Sequence, residues 1–129
     1  MHRDHPLAQA TAPDAAVLAE APFICTNQGS SLHRITQEIC AQMGFSPRIV
    51  ICSDDPYYIR KCVELGLGVT FVPARSWQGQ FSDQVLLKAV GDHRRTTYLY
   101  RSPHKYFSKS AARFSEMLRA EFAREQQLP

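Results

Sequence analysis

Polar side chains follow two short apolar runs of this 129-residue chain. The first polar group comes after Pro22–Cys25, and the second comes after Ile49–Cys52. Hydroxyl and amide groups beside the unpaired backbone N–H groups of a helix start suit a carboxylate or another small anion. We therefore predict a ligand site with six polar members: Thr26, Asn27, Gln28, Ser30, Ser53 and Asp54.

Helix capping is the alternative role for these residues, because Ser, Asn and Asp side chains also accept hydrogen bonds from the first N–H groups of a helix. A third apolar run ends in Phe71, Val72 and Pro73. We predict that Phe71 and Pro73 form an apolar wall or hinge of the ligand site. A place in the core is an equally good interpretation of Phe71.

Arrangements that could support catalysis are few. Ser30, Ser31 and His33 include a nucleophile and a base, but close neighbours at a helix start point in diverging directions. Asp54 and Asp55 are adjacent carboxylates, which suit the positive end of a helix better than a shared substrate atom. We predict that the chain is not an enzyme.

Metal ligation is also poorly supported. His2 and His5 have ligand-like spacing, but no third ligand accompanies them. The four cysteines fit neither a CxxC motif nor a zinc site, and we expect reduced, structural thiols: Cys25, Cys40, Cys52 and Cys62. We place Cys25 and Cys52 at the ends of buried strands and expect no metal or other cofactor.

The elements that position these groups can be read from the spacing of apolar residues. Helices are predicted over Ser30–Met43 and from Asp55 to the glycines at positions 66 and 68, with strands before, between and after them. The predicted strands are Pro22–Cys25, Ile49–Cys52 and Val69–Val72. Because Ile49–Cys52 is continuously apolar, we expect it to be covered on both faces. The helical stripes are Leu32, Ile35, Ile39 and Met43, and then Tyr58, Ile59, Cys62 and Val63.

This β-α-β-α-β order predicts an α/β fold with an open, Rossmann-like, mainly parallel sheet and flanking helices, in which ligands bind beyond the carboxyl ends of the strands. Residues 8–16 suggest a loose approach to the first strand. After Pro73 we predict a short helical turn over Arg75–Trp77 and an irregular strand from Val85 toward Val90. A final helix over Ser108–Phe122 carries an apolar stripe: Ala111, Phe114, Leu118 and Phe122.

Several segments in order resemble the second regulatory subdomain of LysR-type transcriptional regulators. The residues that carry the resemblance are Asp54, Ile59, Val63, Gly66-Leu67-Gly68-Val69, Pro73 and Ser76-Trp77. Further matching pieces are His5-Pro6-Leu7-Ala8, Pro22-Phe23-Ile24, Gly44-Phe45-Ser46-Pro47, Arg95–Tyr100 as a returning strand and Ser108–Phe122 as the C-terminal helix. The resemblance implies half of a type 2 periplasmic-binding-protein fold.

The resemblance also implies an organisation and a function. Residues 1–16 would lead in from a first subdomain, residues 17–92 would form the effector-binding subdomain two, and residues 93–129 would hold the returning strand and C-terminal helix. The expected function is sensing of a small, anionic effector, in a homodimer or larger oligomer. A binding domain of the same fold in transport or fused to an enzyme, and a plain oligomerisation module, remain alternatives.

The family's helix-turn-helix, linker helix and much of its first subdomain have no counterpart among these residues. The chain would then be an excised piece, a truncated gene product or a gene whose start was placed too late. We expect no direct binding of nucleic acid by this fragment and, because one lip of the effector cleft has no counterpart, only weak binding of the effector.

Composition agrees with a globular domain. The hydrophobic content is 44%, the charged content is 21% and the net charge is +3, which is a small excess for a nucleic-acid-binding surface. No apolar stretch approaches the roughly 20 residues that cross a membrane. No signal peptide is visible at the start of the chain. We therefore expect a cytoplasmic location and no membrane partner.

Overall fold

A computed structural model of the chain describes residues 1–91, 93, 96 and 98–125. The chain divides into two compact units, Met1–Arg95 and Thr96–Pro129. The elements of the first unit are α1 (Pro6–Gln9), α2 (Ala15–Glu20), β1 (Pro22–Cys25), α3 (Ser31–Gln42), β2 (Arg48–Cys52), α4 (Pro56–Glu64) and α5 (Ala74–Trp77). The second unit contains α6 (Lys109–Glu125). Of the loose approach predicted for residues 8–16, residues 10–14 are irregular, whereas the two ends of the segment belong to the short helices α1 and α2.

The sheet pairs β1 with β2 in parallel, as the predicted crossover requires. On the other side of β1, Phe23 forms a single parallel bridge with Val69. The Ile24 N–H donates to the Val69 carbonyl at 2.8 Å, and the Val69 N–H donates to the Pro22 carbonyl at 2.9 Å. The predicted third strand over Val69–Val72 is therefore wrong beyond its first residue. Since β1 ends at Cys25, little strand edge remains for the residues after Val69 to join.

Local chemistry at the helix starts agrees with the predicted boundaries. Ser30 Oγ accepts a hydrogen bond from the His33 N–H at 3.0 Å, which caps α3. Asp55 Oδ1 accepts from the Tyr57 N–H at 2.9 Å, and Pro56 occupies the first turn of α4, where its missing N–H costs nothing. Gly66 ends the α4 segment with a φ of 72°, a conformation that favours glycine.

The core of the first unit consists of two clusters on opposite faces of the sheet. The cluster on the α3 face contains Leu7, Leu18, Ala21, Phe23, Cys40 and Val69. The cluster on the α4 face contains Ile24, Ile59, Cys62, Val63 and Val85. Phe23 and Ile24 contribute to different clusters because successive side chains of a strand point to opposite faces.

The burial of β2 differs from the prediction. Its residues alternate between exposed and half-buried, and Val50 is 47% exposed. Cys52, which was predicted at the end of a buried strand, is exposed as well. The reason is position: β2 is an edge strand, so the two flanking helices cover β1 better than they cover β2.

The buried stripe of α3 is also rotated relative to the predicted one. His33, Thr36, Ile39 and Cys40 are the buried residues of this helix. Leu32 and Ile35 are only half-buried, although they belong to the predicted stripe. The buried side chains of α4 are Ile59, Cys62 and Val63, as predicted, whereas Tyr58 is exposed.

The start of the chain pairs with the segment around Val85. His2 and Val85 form an antiparallel bridge, and the Leu86 N–H donates to the Met1 carbonyl at 2.8 Å. Lys88 Nζ donates to the carbonyls of Leu7 and Ala8 at 2.9 and 2.7 Å, and also to the Ala10 carbonyl. The irregular strand predicted from Val85 thus amounts to one bridge.

In the second unit, α6 begins after Ser108, whose Oγ accepts from the Ala111 N–H at 3.1 Å, as the predicted N-cap requires. Two of the four residues of the predicted stripe are exposed, Phe114 at 60% and Phe122 at 54%, and the other two, Ala111 and Leu118, are half-buried. Of the returning strand predicted over Arg95–Tyr100, Arg95 and Thr97 lie outside the described residues, and the rest is not a strand. Within the described ranges, every helix is too short or too polar to cross a membrane.

Candidate functional site

The two predicted polar groups meet where β1 and β2 end. The Asn27 N–H donates to Asp54 Oδ1 at 3.1 Å, and Asn27 Nδ2 donates to Asp54 Oδ2 at 2.7 Å. The Ser53 N–H donates to the Cys25 carbonyl at 3.0 Å and so continues the strand pairing into the turn. One carboxylate therefore holds the two turns together, and Asn27 and Asp54 are both exposed to solvent.

The turn before α3 is held by a second set of hydrogen bonds. Thr26 Oγ1 and Ser30 Oγ are hydrogen-bonded to each other, and Ser30 Oγ also caps the helix at His33. His33 Nδ1 lies 2.8 Å from the Thr26 carbonyl oxygen. Because a carbonyl oxygen only accepts, Nδ1 carries the proton and donates.

This arrangement does not make a catalytic pair. The Ser30 hydroxyl contacts the backbone N–H of His33, not its imidazole ring. The imidazole is 6% exposed and is engaged by the Thr26 carbonyl. His33 is therefore a positioning residue for the turn, a role that the sequence analysis did not assign to it.

A polar groove runs along the start of α3. Its lining residues are Gln28, Gly29, Ser30, Ser31, His33, Arg34 and Gln37. Gln28 is exposed at the tip of the turn, and Gly29 has a φ of 90° that favours glycine. Arg34 brings a guanidinium to this groove and pairs with Glu38 at 2.6 Å on the exposed helix surface.

A small apolar cavity of about 90 Å³ lies on the other side of the α3 start. It is lined by Ser31, Leu32, Ile35, Phe71, Val72, Pro73 and His93. Phe71 lines this cavity, and its ring also packs on the core residue Phe23, with 5.6 Å between the ring centroids. Its role as a wall of a ligand site stays a prediction. Ser31 lines both the polar groove and the apolar cavity.

The charges around the site are separated. Asp54 provides a carboxylate at the strand ends, whereas the N-terminus of α3 provides positive potential on the groove side. The Arg34 guanidinium, which also lines the groove, is paired with Glu38. In the part of the chain that the structure describes, no three His, Cys, Asp or Glu side chains are grouped so that they could hold a metal ion.

Seven of the eight predicted site residues therefore fall into three neighbouring places. Asn27, Ser53 and Asp54 form the linked turns, Gln28 and Ser30 line the polar groove, and Phe71 and Pro73 line the apolar cavity. Thr26 supports the turn through Ser30 and His33. Sequence reasoning missed Leu32 and Ile35 as cavity walls because their helical spacing assigned them to the core stripe, and His93 carried no signal.

Comparisons with known proteins agree with this architecture. A family model described as the LysR substrate binding domain matches residues 1–123. The chain is 33% identical over 81 residues to the HTH-type transcriptional regulator cbl of Klebsiella aerogenes. The aligned segment is 63% of this chain and 26% of that protein. It is also 39% identical over 69 residues to the HTH-type transcriptional regulator ShiR of Corynebacterium glutamicum (strain R). This aligned segment is 52% of this chain and 23% of that protein.

A crystal structure of the C-terminal domain of a LysR family transcriptional regulator from Rhodococcus sp. RHA1 matches 53% of this chain and 33% of that chain, at 29% identity and a TM-score of 0.46. The chain spans about a quarter of the length of the two curated relatives, the cbl and ShiR regulators. Its helices and parallel strands agree with the α/β, periplasmic-binding-protein-like fold that was predicted. Because the family model covers nearly the whole chain, the chain belongs to the LysR substrate-binding domain family.

Proposed function

We propose that this chain is an effector-binding domain of a LysR-type transcriptional regulator and that it holds a small anionic molecule beyond the ends of β1 and β2. The observation that carries the proposal is the junction of the two polar turns through Asn27 and Asp54, directly beside the N-terminus of α3. The two curated relatives named above are transcriptional regulators, which supports a sensory role and a cytoplasmic location.

The anion would sit on the α3 side of the junction. Asp54 repels a second carboxylate, whereas the first N–H groups of a helix have no acceptor within that helix and suit an anion. The Ser30 hydroxyl occupies the His33 N–H, so the N–H groups of Ser31 and Leu32 are the ones that the proposal uses. Gln28 can add an amide N–H in the same groove, whereas the charge of Arg34 is already paired with Glu38. Ser30 Oγ already accepts a bond from the His33 N–H, so its role is to fix the turn.

The remainder of the effector would be apolar. Ser31 borders both the polar groove and the cavity walled by Leu32, Ile35 and Phe71, so a ligand anchored at the helix start can extend over those side chains. A cavity of about 90 Å³ is smaller than typical ligand pockets of roughly 300–1,000 Å³, so much of the ligand stays in contact with water. We expect millimolar affinity, or about 4 kcal/mol.

Thermal unfolding of the full 129-residue chain tests the proposal with pairs of ligands that differ in charge, such as benzoate against benzamide, at constant ionic strength. At about ten times a millimolar Kd, benzoate should stabilise the folded chain by about 1.4 kcal/mol, and benzamide should stabilise it much less. Equal effects of the acid and the amide, or no effect of either, would contradict an anion site.

Oligomer formation is a second candidate role, and the exposed apolar residues of α6 favour it. Phe114, Met117 and Phe122 are each more than half exposed. A surface of this kind on a helix is typical of contacts between proteins. We infer that the chain forms a homodimer or larger oligomer, which is compatible with effector binding at the other unit.

A further inference from the structure

Two cysteines face each other across the two strands that lead into the candidate site. Cys25 and Cys52 are register partners at the carboxyl ends of β1 and β2. The Ser53 N–H donates to the Cys25 carbonyl at 3.0 Å, which fixes the pairing at this point. Paired residues of neighbouring strands lie about 4.8 Å apart, within the roughly 4.4–6.8 Å between Cα atoms that a disulfide spans.

Both side chains belong to the same face of the sheet. Register partners share a face throughout this sheet: Phe23 and Ile49 contact the α3-side cluster, whereas Ile24 and Ile51 contact the α4-side cluster. The register shifts by one residue of β2, Val50, between these two pairs, and Cys25 and Cys52 directly follow the second pair. Side chains alternate along both strands from there, so the last pair returns to the α3 face. The thiols are in different environments, since Cys25 is 2% exposed and Cys52 is exposed at the sheet edge.

We propose that Cys25 and Cys52 form a redox-sensitive dithiol that a peroxide converts into a disulfide at the base of the candidate ligand site. The exposed Cys52 thiolate attacks one oxygen of hydrogen peroxide, the O–O bond breaks and water leaves, so that Cys52 becomes a sulfenic acid. The Cys25 sulfur then attacks the Cys52 sulfur, the S–O bond breaks and a second water leaves. Two thiols are oxidised, and one peroxide is reduced.

Cys40 is the competing partner, because it is buried in the α3-side cluster near Cys25. Burial, with a smaller contribution from Cys25, raises the pKa of the Cys40 thiol to about 11. Position separates the two candidates, since Cys25 is the register partner of Cys52 in the sheet, whereas Cys40 lies on α3. Cys62 lies in the cluster on the opposite face of the sheet and is no alternative.

The disulfide would join the strands immediately before Thr26 and Ser53. It would add a covalent link to the Asn27–Asp54 contact and would hold the two turns at a fixed separation. A reductant could reach this disulfide at the Cys52 sulfur, which is at the exposed edge of the sheet. This inference does not depend on the nature of the ligand.

Peptide mapping tests the proposal, because trypsin places each cysteine on a separate peptide: residues 4–34, 35–48, 49–60 and 62–75. The full chain is treated with hydrogen peroxide, its remaining thiols are alkylated, and it is digested without reduction. We expect a cross-link between peptides 4–34 and 49–60 within one chain, reversed by dithiothreitol, and none in Cys52→Ser.

Three results would overturn the proposal. The first is a cross-link of peptide 4–34 to peptide 35–48 in place of 49–60. The second is a disulfide of Cys52 with another copy of the chain only. The third is recovery of Cys25 as a free thiol while Cys52 is oxidised. These results come from the unmodified chain, so the test does not require that Cys52→Ser folds.

Discussion

Asp54 joins the two polar turns through both oxygens of its carboxylate. Its partners are the backbone N–H and the side-chain amide of Asn27, at 3.1 and 2.7 Å. Hydrogen bonds to a charged acceptor are stronger than neutral ones, but exposure to water weakens them. At the scale of single residues, this contact sets the distance between the turns.

Removal of the carboxylate in Asp54→Ala should lower the free energy of unfolding by about 1 kcal/mol, because water replaces only part of the two lost bonds. Urea denaturation measures this difference. Asp83→Ala is the matched control, since Asp83 is also exposed but lies in the turn before Val85. Equal stability of the two variants would mean that the Asn27–Asp54 contact contributes nothing measurable.

A substitution of Gln28 distinguishes a role of the turn in ligand binding from a role in folding stability. Gln28→Ala should weaken the binding of benzoate several-fold without lowering the melting temperature, because an exposed turn side chain supports little packing. Gln42→Ala, at the other end of α3, is the control and should change neither property. A loss of stability in Gln28→Ala with unchanged binding would assign the turn to helix capping alone.

Sequence alone predicted the residues whose chemistry is local. Ser30 as a cap and Asn27 near Asp54 follow from side-chain type and strand ends, and the structure has both. His33 and Arg34 could not be assigned in the same way. Their roles depend on the rotation of α3 against the sheet, which is set by packing with β1 and not by the helix's own pattern.

At the scale of elements, Gly68 permits the contact between Val69 and β1. A Cβ atom at position 68 would lie 2.3 Å from the Pro22 carbonyl oxygen, which is backbone and cannot move aside cheaply. Gly68→Ala should therefore lower the free energy of unfolding by about 3 kcal/mol, near the upper end of overpacking costs.

Gly79→Ala is the comparison for this prediction. A Cβ atom there meets nothing within 4 Å, but the φ of 70° still disfavours alanine. Its cost should be about 1 kcal/mol, from the left-handed backbone alone. If thermal or urea unfolding gave the two variants equal stability, close backbone approach at Gly68 would not be the constraint.

Helix boundaries were the best-predicted elements, because caps and glycines are encoded in neighbouring residues. Strands were predicted less well. Whether residues after Val69 extend the sheet depends on where β1 ends, and the exposure of Val50 depends on β2 being an edge. Both facts concern the arrangement of distant segments, which an apolar run does not encode.

At the scale of the whole molecule, the exposed apolar residues of α6 should drive association. We expect light scattering to give more than the 14.6 kDa of one chain at high protein concentration. Phe114→Glu should shift the chain toward the monomer, whereas Ala123→Glu, which is exposed and lies about half a helical turn around α6 from Phe114, should not. A wild-type chain that stays monomeric at high concentration would contradict this prediction.

Backbone amide NMR shifts during titration with benzoate would detect an anion site at the start of α3. We expect saturable shifts at millimolar concentration that are largest for Asn27–Ser31 and smaller for Ser53 and Asp54. Benzamide at the same concentrations should leave these amides nearly unchanged. Shifts that are absent, that do not saturate, or that are largest in α6 would contradict an anion site at the start of α3.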